Sequence, residues 1–567
     1  MIRNLFLIVF VCAFSILRSQ FPSLVWAKNQ SGTFDDYNTG ITNDPFGNIY
    51  ISGYFQGTPD FDPGAATYTL TSNGGYDFFV SKLDPNGNFI WAKSVGGYSQ
   101  DFGFNVTLDG LGNVLVCGYF QDTVDFDPGV GTYTLASNGS DDFFVLKLDA
   151  LGNFLWAVSA GGPGKDWGYS LTTDALNNVY LVGNFVFTVD FDPGPGSYSI
   201  SSNGMDDAFI LKLNSLGNFI WAKQIGGSGG DFATAITFNN SGNIVMTGSF
   251  NGTVDFDPGP LPYTFLSAGL TDLFVLTLDL AGNFVWAKQV GSSNQDEGYA
   301  VKCDAMGNII VSGIFVATAD FDPGPATFNL SPIGTCDAFV LKLNSSGGFV
   351  WAINFGGPSI GISASALAID AANNVYVDGN LNGTIDFDPG PGVYSLTALS
   401  NPDLYITALD PNGNFKWARS IGSTAIDYGF SINIDAFNNI CLAMYSNGFP
   451  DFDPSPSTYT LSTTGAGSMD SYVIKWALAP TLIEDITNDK GFLLYPNPNN
   501  GTFQLSIEGE VKNGSIVLVN SLGQKIFEQN ISKGINEIKT GELSHGLYNY
   551  ILLSDKQKLK DGRLVVD

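Results

Sequence analysis

Between Phe102 and Phe154 the chain runs through four short apolar bursts separated by turn residues. "FGFNVTLD" alternates apolar and polar positions and stops at "GLGN"; "VLVCGYF" follows as a second run. A long polar stretch, "DTVDFDPGVGTYTLASNGSDD", leads to a third run, "FFVLKLD". The tight turn "ALGN" then opens a fourth, "FLWAVSAGG". Period-two alternation in β-branched and aromatic residues, bounded by Asp, Asn and Gly, predicts strands joined as hairpins. No helical period appears. These runs, A to D in order, predict one four-stranded antiparallel sheet.

The same unit recurs. "DFDPG" begins at Asp60, Asp125, Asp190, Asp255, Asp320 and Asp386, and "DFDPS" begins at Asp451, so successive copies lie 65, 65, 65, 65, 66 and 65 residues apart. A fixed period of this length marks a repeat architecture whose sheets bury their faces on one another. The D run carries tryptophan at Trp26, Trp91, Trp156, Trp221, Trp286, Trp351 and Trp417. Its first copy, "SLVWAK", precedes any A run, and the last C run, "SYVIKWA", has no D run after it. An orphan at the front that supplies what is missing at the back predicts a closed ring. The expected fold is all-β: a seven-bladed β-propeller of four-stranded antiparallel blades over 20–478, its last blade completed by strand 23–28.

"NVYLVGNF", "DAFILKLNSLGNFIWAK" and the repeated Asp-aromatic-Gly triplet resemble bacterial β-propeller repeats of the seven-bladed SBBP type. The resemblance covers about 450 residues, with blades longer than the usual ~40–50 residues because of the B-to-C stretch.

The two chain ends follow different rules. Arg3 followed by "LFLIVFVCAF" reads as a secretory signal peptide over 1–19, too short to anchor in a membrane. After a linker at 479–490, residues 491–567 alternate and turn like a small β-sandwich. Tyr495-Pro496-Asn497-Pro498, Gly501, "NSLGQ", Leu543 to Tyr548 and a basic closing strand resemble the C-terminal sorting domain of the Bacteroidetes type IX secretion system. The resemblance implies engagement with that secretion machinery, export through the outer membrane, and residence outside a Gram-negative cell or on its surface.

Charge and rare residues narrow the chemistry. The formal net charge is −30, and the segment 20–478 holds 13 basic against 43 acidic residues. Nucleic acid and anionic membranes are poor partners for it; cations, neutral polysaccharides or surface proteins are better ones. The single histidine, His545, lies in the tail, so histidine-based nucleophilic catalysis and histidine zinc sites are excluded from the repeats. Cys117, Cys303, Cys336 and Cys441 fall at non-matching places and make no disulfide framework.

What remains is repeated carboxylate and repeated aromatic. In an extended segment the two aspartates of each "DFDPG" face one side and the phenylalanine the other. Two readings follow for Asp60 and Asp62, Asp125 and Asp127, Asp190 and Asp192, Asp255 and Asp257, Asp320 and Asp322, Asp386 and Asp388, and Asp451 and Asp453. As turn-formers they bond backbone N–H groups ahead of them; as oxygen ligands they hold calcium. Gly129 tolerates no larger residue if its turn needs a positive φ. A second repeated group stands before run A: Asp36-Tyr37, Asp101-Phe102, Asp166-Trp167, Asp231-Phe232, Asp296-Glu297 and Asp427-Tyr428, broken in the sixth repeat by "SIGISAS". Tyr37, Phe102, Trp167, Phe232 and Tyr428 form a candidate aromatic rim for stacking on sugar rings, with Trp167 beside Lys165 the best platform. The D-run tryptophans read as packing between blades. Blade-to-blade regularity favours a non-enzymatic binding or structural module over a carbohydrate-active enzyme using Asp pairs.

Overall fold

The structure is a computed structural model that describes residues 21–358, 361–400, 402–462, 467–478, 492–495, 502–507, 511–519, 525–541, 543, 546–554 and 557–566. The signal segment and the linker at 479–490 lie outside the described residues. The chain divides into two compact units at residues 479–480. The regular structure described is β throughout, and no helix among the described residues is long and apolar enough to cross a membrane.

Runs A to D each become a strand. In the second repeat these are Phe102–Leu108, Val114–Phe120, Asp142–Leu148 and Phe154–Ala160, hydrogen-bonded antiparallel in that order. Strands B and C are buried on both faces, as in Val114–Phe120 and Asp142–Leu148, which explains their near-continuous apolar runs. Strand A keeps one half-exposed side. Among the described residues, seven sheets share this four-strand core. The first strand, Ser23–Asn29, pairs antiparallel with Asp470–Ala477, so the last sheet takes its D strand from the N-terminal end.

Each apolar cluster spans two neighbouring sheets. Tyr50, Phe78 and Val80 of the first repeat pack with Val114, Phe144 and Leu146 of the second. Phe55 and Phe79 of the first repeat pack with Cys441 and Val473 of the last. The A strands contact one another in the order Asp36–Asn43, Phe102–Leu108, Trp167–Thr173, Phe232–Phe238, Asp296–Cys303, Ala366–Ile369, Asp427–Ile434, and from there back to Asp36–Asn43.

Tryptophan and lysine tie several of the sheets to the next. Trp91 Nε1 and Lys82 Nζ both donate to the carbonyl of Ala150, in the C-to-D turn of the following repeat. Trp156 and Lys147 do the same at Ser215, and Trp351 and Lys342 at Pro411. Trp26 and Lys475, both in the last sheet, converge on Pro85 of the first. Trp26, Trp91, Trp156 and Trp351 are therefore interfacial ties, whereas Trp221 Nε1 is buried without a hydrogen-bond partner. Cys117, Cys303, Cys336 and Cys441 are free thiols.

The second unit is two antiparallel sheets. Phe492–Tyr495, Thr502–Ile507 and Gly534–Lys539 form one; Lys525–Ile531, Gly514–Val519, Gly546–Ser554 and Gln557–Val566 form the other. Phe503, Leu505 and Ile538 of the first share a core with Ile516, Leu518 and Leu552 of the second.

Candidate functional site: repeated aspartates and a central cavity

The "DFDPG" motif ends a short ribbon inserted between strands B and C. Thr123–Asp125 pairs with Thr134–Ala136, and the motif turns between them. Phe126 is fully buried, as are Phe61, Phe191, Phe256, Phe321, Phe387 and Phe452. Asp125 Oδ1 accepts the backbone N–H of Asp127 at 3.1 Å and of Tyr133 at 2.8 Å, while Asp127 Oδ1 accepts that of Gly129 at 2.8 Å. The same bonds recur from Asp60, Asp62 and Tyr68 through Asp451, Asp453 and Tyr459. One oxygen of each carboxylate is thus committed to loop backbone, the geometry of a turn-former.

The ribbon also reaches the preceding sheet. Gly226 and Gly227, at the end of a D strand, pair with Asp255 and Val254, and the Asp386 and Asp451 amides donate to Gly356 and Gly422 carbonyls. Gly129 is constrained differently from the sequence expectation. Neither it nor its equivalents lie at positive φ. A Cβ there would instead stand 2.9 Å from Asp127 Oδ1, the atom its own N–H binds. Among the described residues no group of three His, Cys, Asp or Glu side chains is placed to hold a metal ion. A cation at these loops would have to draw on the second carboxylate oxygens and on carbonyls.

Two further sets of aspartates are buried more deeply. Asp36, Asp101, Asp166, Asp231, Asp296 and Asp427 open the A strands and are at most 1% exposed. Each accepts an N–H four residues earlier, as Asp36 does from Gly32 at 2.6 Å and Asp101 from Gly97 at 2.7 Å. Asp77, Asp142, Asp207, Asp272, Asp337 and Asp403 open the C strands and accept in the same way from Asn73, Asn138, Asn203, Ala268, Ile333 and Leu399. Burial pushes these carboxyls up, against the pull of the N–H bonds: Asp36 to about 8, Asp77, Asp166 and Asp231 to about 7, and Asp101, Asp142, Asp296 and Asp427 to about 6. The C-strand set had no place in the sequence reading, although its register repeats as faithfully as "DFDPG".

The A strands of all seven repeats line a cavity of about 440 Å³. At the end where these strands begin, four of the five rim candidates are brought together. Tyr37 stacks on Tyr54 at 4.7 Å, Tyr54 meets Phe102 at 4.3 Å, Phe102 stacks on Tyr119 at 5.0 Å, and Tyr119 on Trp167 at 5.2 Å. In the other direction Tyr445 joins Tyr37 to Tyr428. The arc spans the last and the first three repeats. Phe232 has no ring neighbour among the described residues.

The rings that line the cavity itself are Tyr54, Phe104, Tyr169, Tyr299 and Phe430, which the sequence reading did not select. Phe104, Tyr169, Tyr299 and Phe430 share one A-strand register, two residues after the rim position, and that offset was the available signal. Trp167 is more engaged than a free platform: its indole N–H donates to Asp141 at 2.9 Å, one neighbour is Tyr119, and Lys165 Nζ lies 5.7 Å from its ring. Across from the arc, Glu297 accepts from Gln295 at 2.6 Å and from Tyr299 at 2.8 Å.

In the tail, Tyr495 ends the strand Phe492–Tyr495. Pro496, Asn497, Pro498 and Gly501 lie outside the described residues. Residues 493–567 match the secretion system C-terminal sorting domain family. The chain is 23% identical to an uncharacterized WD repeat-containing protein of Acanthamoeba polyphaga mimivirus, over 80% of this chain and 38% of that protein. It is 21% identical to the regulatory protein FlaEY of Caulobacter vibrioides, over 77% of this chain and 44% of that one. The chain thus spans less than half the length of these curated relatives. Among solved structures, PorZ, a surface component of the type IX secretion system of Porphyromonas gingivalis, is similar at 11% identity over 95% of this chain and 100% of that chain, with a TM-score of 0.28. A protein of unknown function from Bacteroides caccae is similar at 10% identity over 60% of this chain and 89% of that chain, with a TM-score of 0.29.

Proposed function

We propose that residues 20–478 form a seven-bladed β-propeller of the SBBP type, carried out of the cell by its sorting tail, which binds a neutral polysaccharide at the aromatic mouth of its central cavity. The cyclic contact order of the A strands and the pairing of Ser23–Asn29 with Asp470–Ala477 support the closed ring. The observation that carries the binding reading is the continuous arc of half-exposed rings opening onto the cavity. Such rings offer flat apolar faces to sugar C–H groups, while Glu297 across the mouth supplies a hydroxyl acceptor. An acidic exterior favours neutral over anionic polymers. The type IX tail marks the chain for secretion or the cell surface, where such polymers are met.

Phe430 lines the cavity and is 42% exposed, so its removal spares the core. Against a panel of neutral polysaccharides, the Phe430→Ala protein is expected to bind at least tenfold more weakly than the parent, about 1.4 kcal/mol, with an unchanged melting temperature. Equal binding by both proteins, or none by either, would overturn the reading. Release of reducing ends from the same panel would instead favour an enzyme using the loop aspartates.

For the "DFDPG" aspartates we favour the turn-forming reading over calcium ligation. With one oxygen of each carboxylate bound to backbone, chelation is expected to leave the melting temperature within about 1 °C. A calcium-dependent rise that the Asp125→Asn, Asp127→Asn double variant weakens would put the metal back.

A further inference from the structure

We propose that the central cavity holds a small oxyanion, of the carboxylate or phosphate class, on the ammonium group of Lys302 and the threonine hydroxyls at its level. Strand A places one residue of each repeat at the same register, opposite the second residue of strand B. Thr42 stands opposite Tyr50, Thr107 opposite Leu115, Thr172 opposite Tyr180, Thr237 opposite Val245 and Lys302 opposite Ile310. These four threonines and Lys302 all line the cavity. The first four repeats carry threonine at this register, the sixth and seventh carry Ala368 and Asn433 opposite Tyr376 and Cys441, and the fifth carries Lys302, the one basic side chain in the A strands described.

The surroundings of this lysine differ from those of the other enclosed lysines in the repeats. Lys147, Lys342 and Lys475 are paired with Asp109, Asp304 and Asp435 at 2.8–2.9 Å, and Lys82 and Lys212 donate to the carbonyls of Ala150 and Leu280. Lys302 has no carboxylate partner and no hydrogen-bond partner among the described residues, nor do the four threonine hydroxyls. Among the described residues no Asp or Glu lines the cavity, although 43 acidic residues stand in 20–478. The side chain is open to solvent within the cavity but surrounded by protein, and this enclosure lowers its pKa. A cation in such a place is stabilised by an anion entering with it.

The acidic exterior does not forbid this. Charges beyond about 8 Å are screened at physiological salt, and the wall itself is neutral except for Lys302. Hydroxyl and ammonium donors converging without a carboxylate among them suit an oxyanion with several lone pairs better than a metal cation. The site stands on side chains deeper along the A strands than the rim, so it does not depend on the polysaccharide reading.

The full-length protein should bind sodium phosphate saturably in low-salt titration calorimetry, and Lys302→Met should weaken that binding at least tenfold without lowering the melting temperature. Lys302→Arg should retain it. Titration with sodium acetate and with sodium glucuronate separates the sources: tighter glucuronate than acetate or phosphate assigns the site to an acidic sugar, tighter phosphate to the free ion. A crystal soaked in selenate should show an anomalous peak within hydrogen-bond distance of Lys302 Nζ. Equal affinity of the parent and Lys302→Met for all three anions, no saturable binding of any of them, or a selenate peak confined to other places would overturn the proposal.

Discussion

Removal of residues 21–30 is expected to lower the melting temperature of the repeat unit by about 10 °C or more, or to make it aggregate. The lost segment supplies the antiparallel partner of Asp470–Ala477 from Ser23 to Asn29. With it go the Trp26 indole bond to Pro85 and the Gln30 side-chain bond to the Phe61 carbonyl, both of which bridge the last and first sheets. Ala27 is buried in the core of the last sheet, against Ile474 and Trp476. The truncation therefore exposes a strand edge and opens one interface at once. Differential scanning calorimetry of the truncated and parent proteins is the measurement. An unchanged melt would mean that the first strand is dispensable and that the repeats form an open array.

A second large effect concerns pH. Burial raises the A-strand and C-strand aspartates from 3.8, to about 6 for Asp101, about 7 for Asp77 and Asp166 and about 8 for Asp36. A raised value means that the folded state holds protons the unfolded chain has released, so the stability these groups give is complete below pH ~4 and is lost as pH climbs through 6 to 8. Turn aspartates act in the opposite sense. Lys147 and Asn113 bind Asp109, and Asn178 and Tyr180 bind Asp174; these bonds outweigh burial and hold both below the usual carboxylate range. Their contribution fades as pH falls below ~4. The melting temperature should therefore peak near pH 4–5 and fall by about 10 °C between pH 5 and pH 8 at constant ionic strength. A flat or rising profile over that span would show that these carboxyls are ionised in the folded protein.

Much of this architecture was legible because the repeat displays each constraint several times. Alternation located strands A to D, the 65-residue spacing located the sheets, and the misplaced "SLVWAK" located the pairing of the chain's first strand with its last sheet. The buried phenylalanine of "DFDPG" followed from side-chain alternation alone. The site was less legible. Tyr119 and Tyr445 come from strand B; the predicted hairpin put that strand beside strand A, but not the register that sets Tyr119 opposite Phe102 and Tyr445 opposite Tyr428. Asp77 and its equivalents looked like ordinary polar residues before an apolar run, because burial of a carboxylate against a glycine of strand D has no local signature. Gly129 misled for a related reason: Pro-Gly suggests a positive φ, whereas this position only lies close to Asp127, and in the last repeat Ser455 fills it with the same bond to Asp453.

The pairing of residue 23 with residue 477 also sets an order of events. Each sheet except the last can assemble from neighbouring stretches of chain, but the last needs strands separated by some 440 residues, as the bond between Ser31 and Ser471 shows. Closing that loop costs only about 2 kcal/mol more than closing a 65-residue one, so the penalty is chiefly one of timing. Until Asp470–Ala477 has emerged, the first strand has no partner, and the opening apolar segment travels uncovered. At high concentration the same vacancy can be filled by Ser23–Asn29 of another molecule, giving exchanged dimers whose abundance grows with protein concentration during refolding.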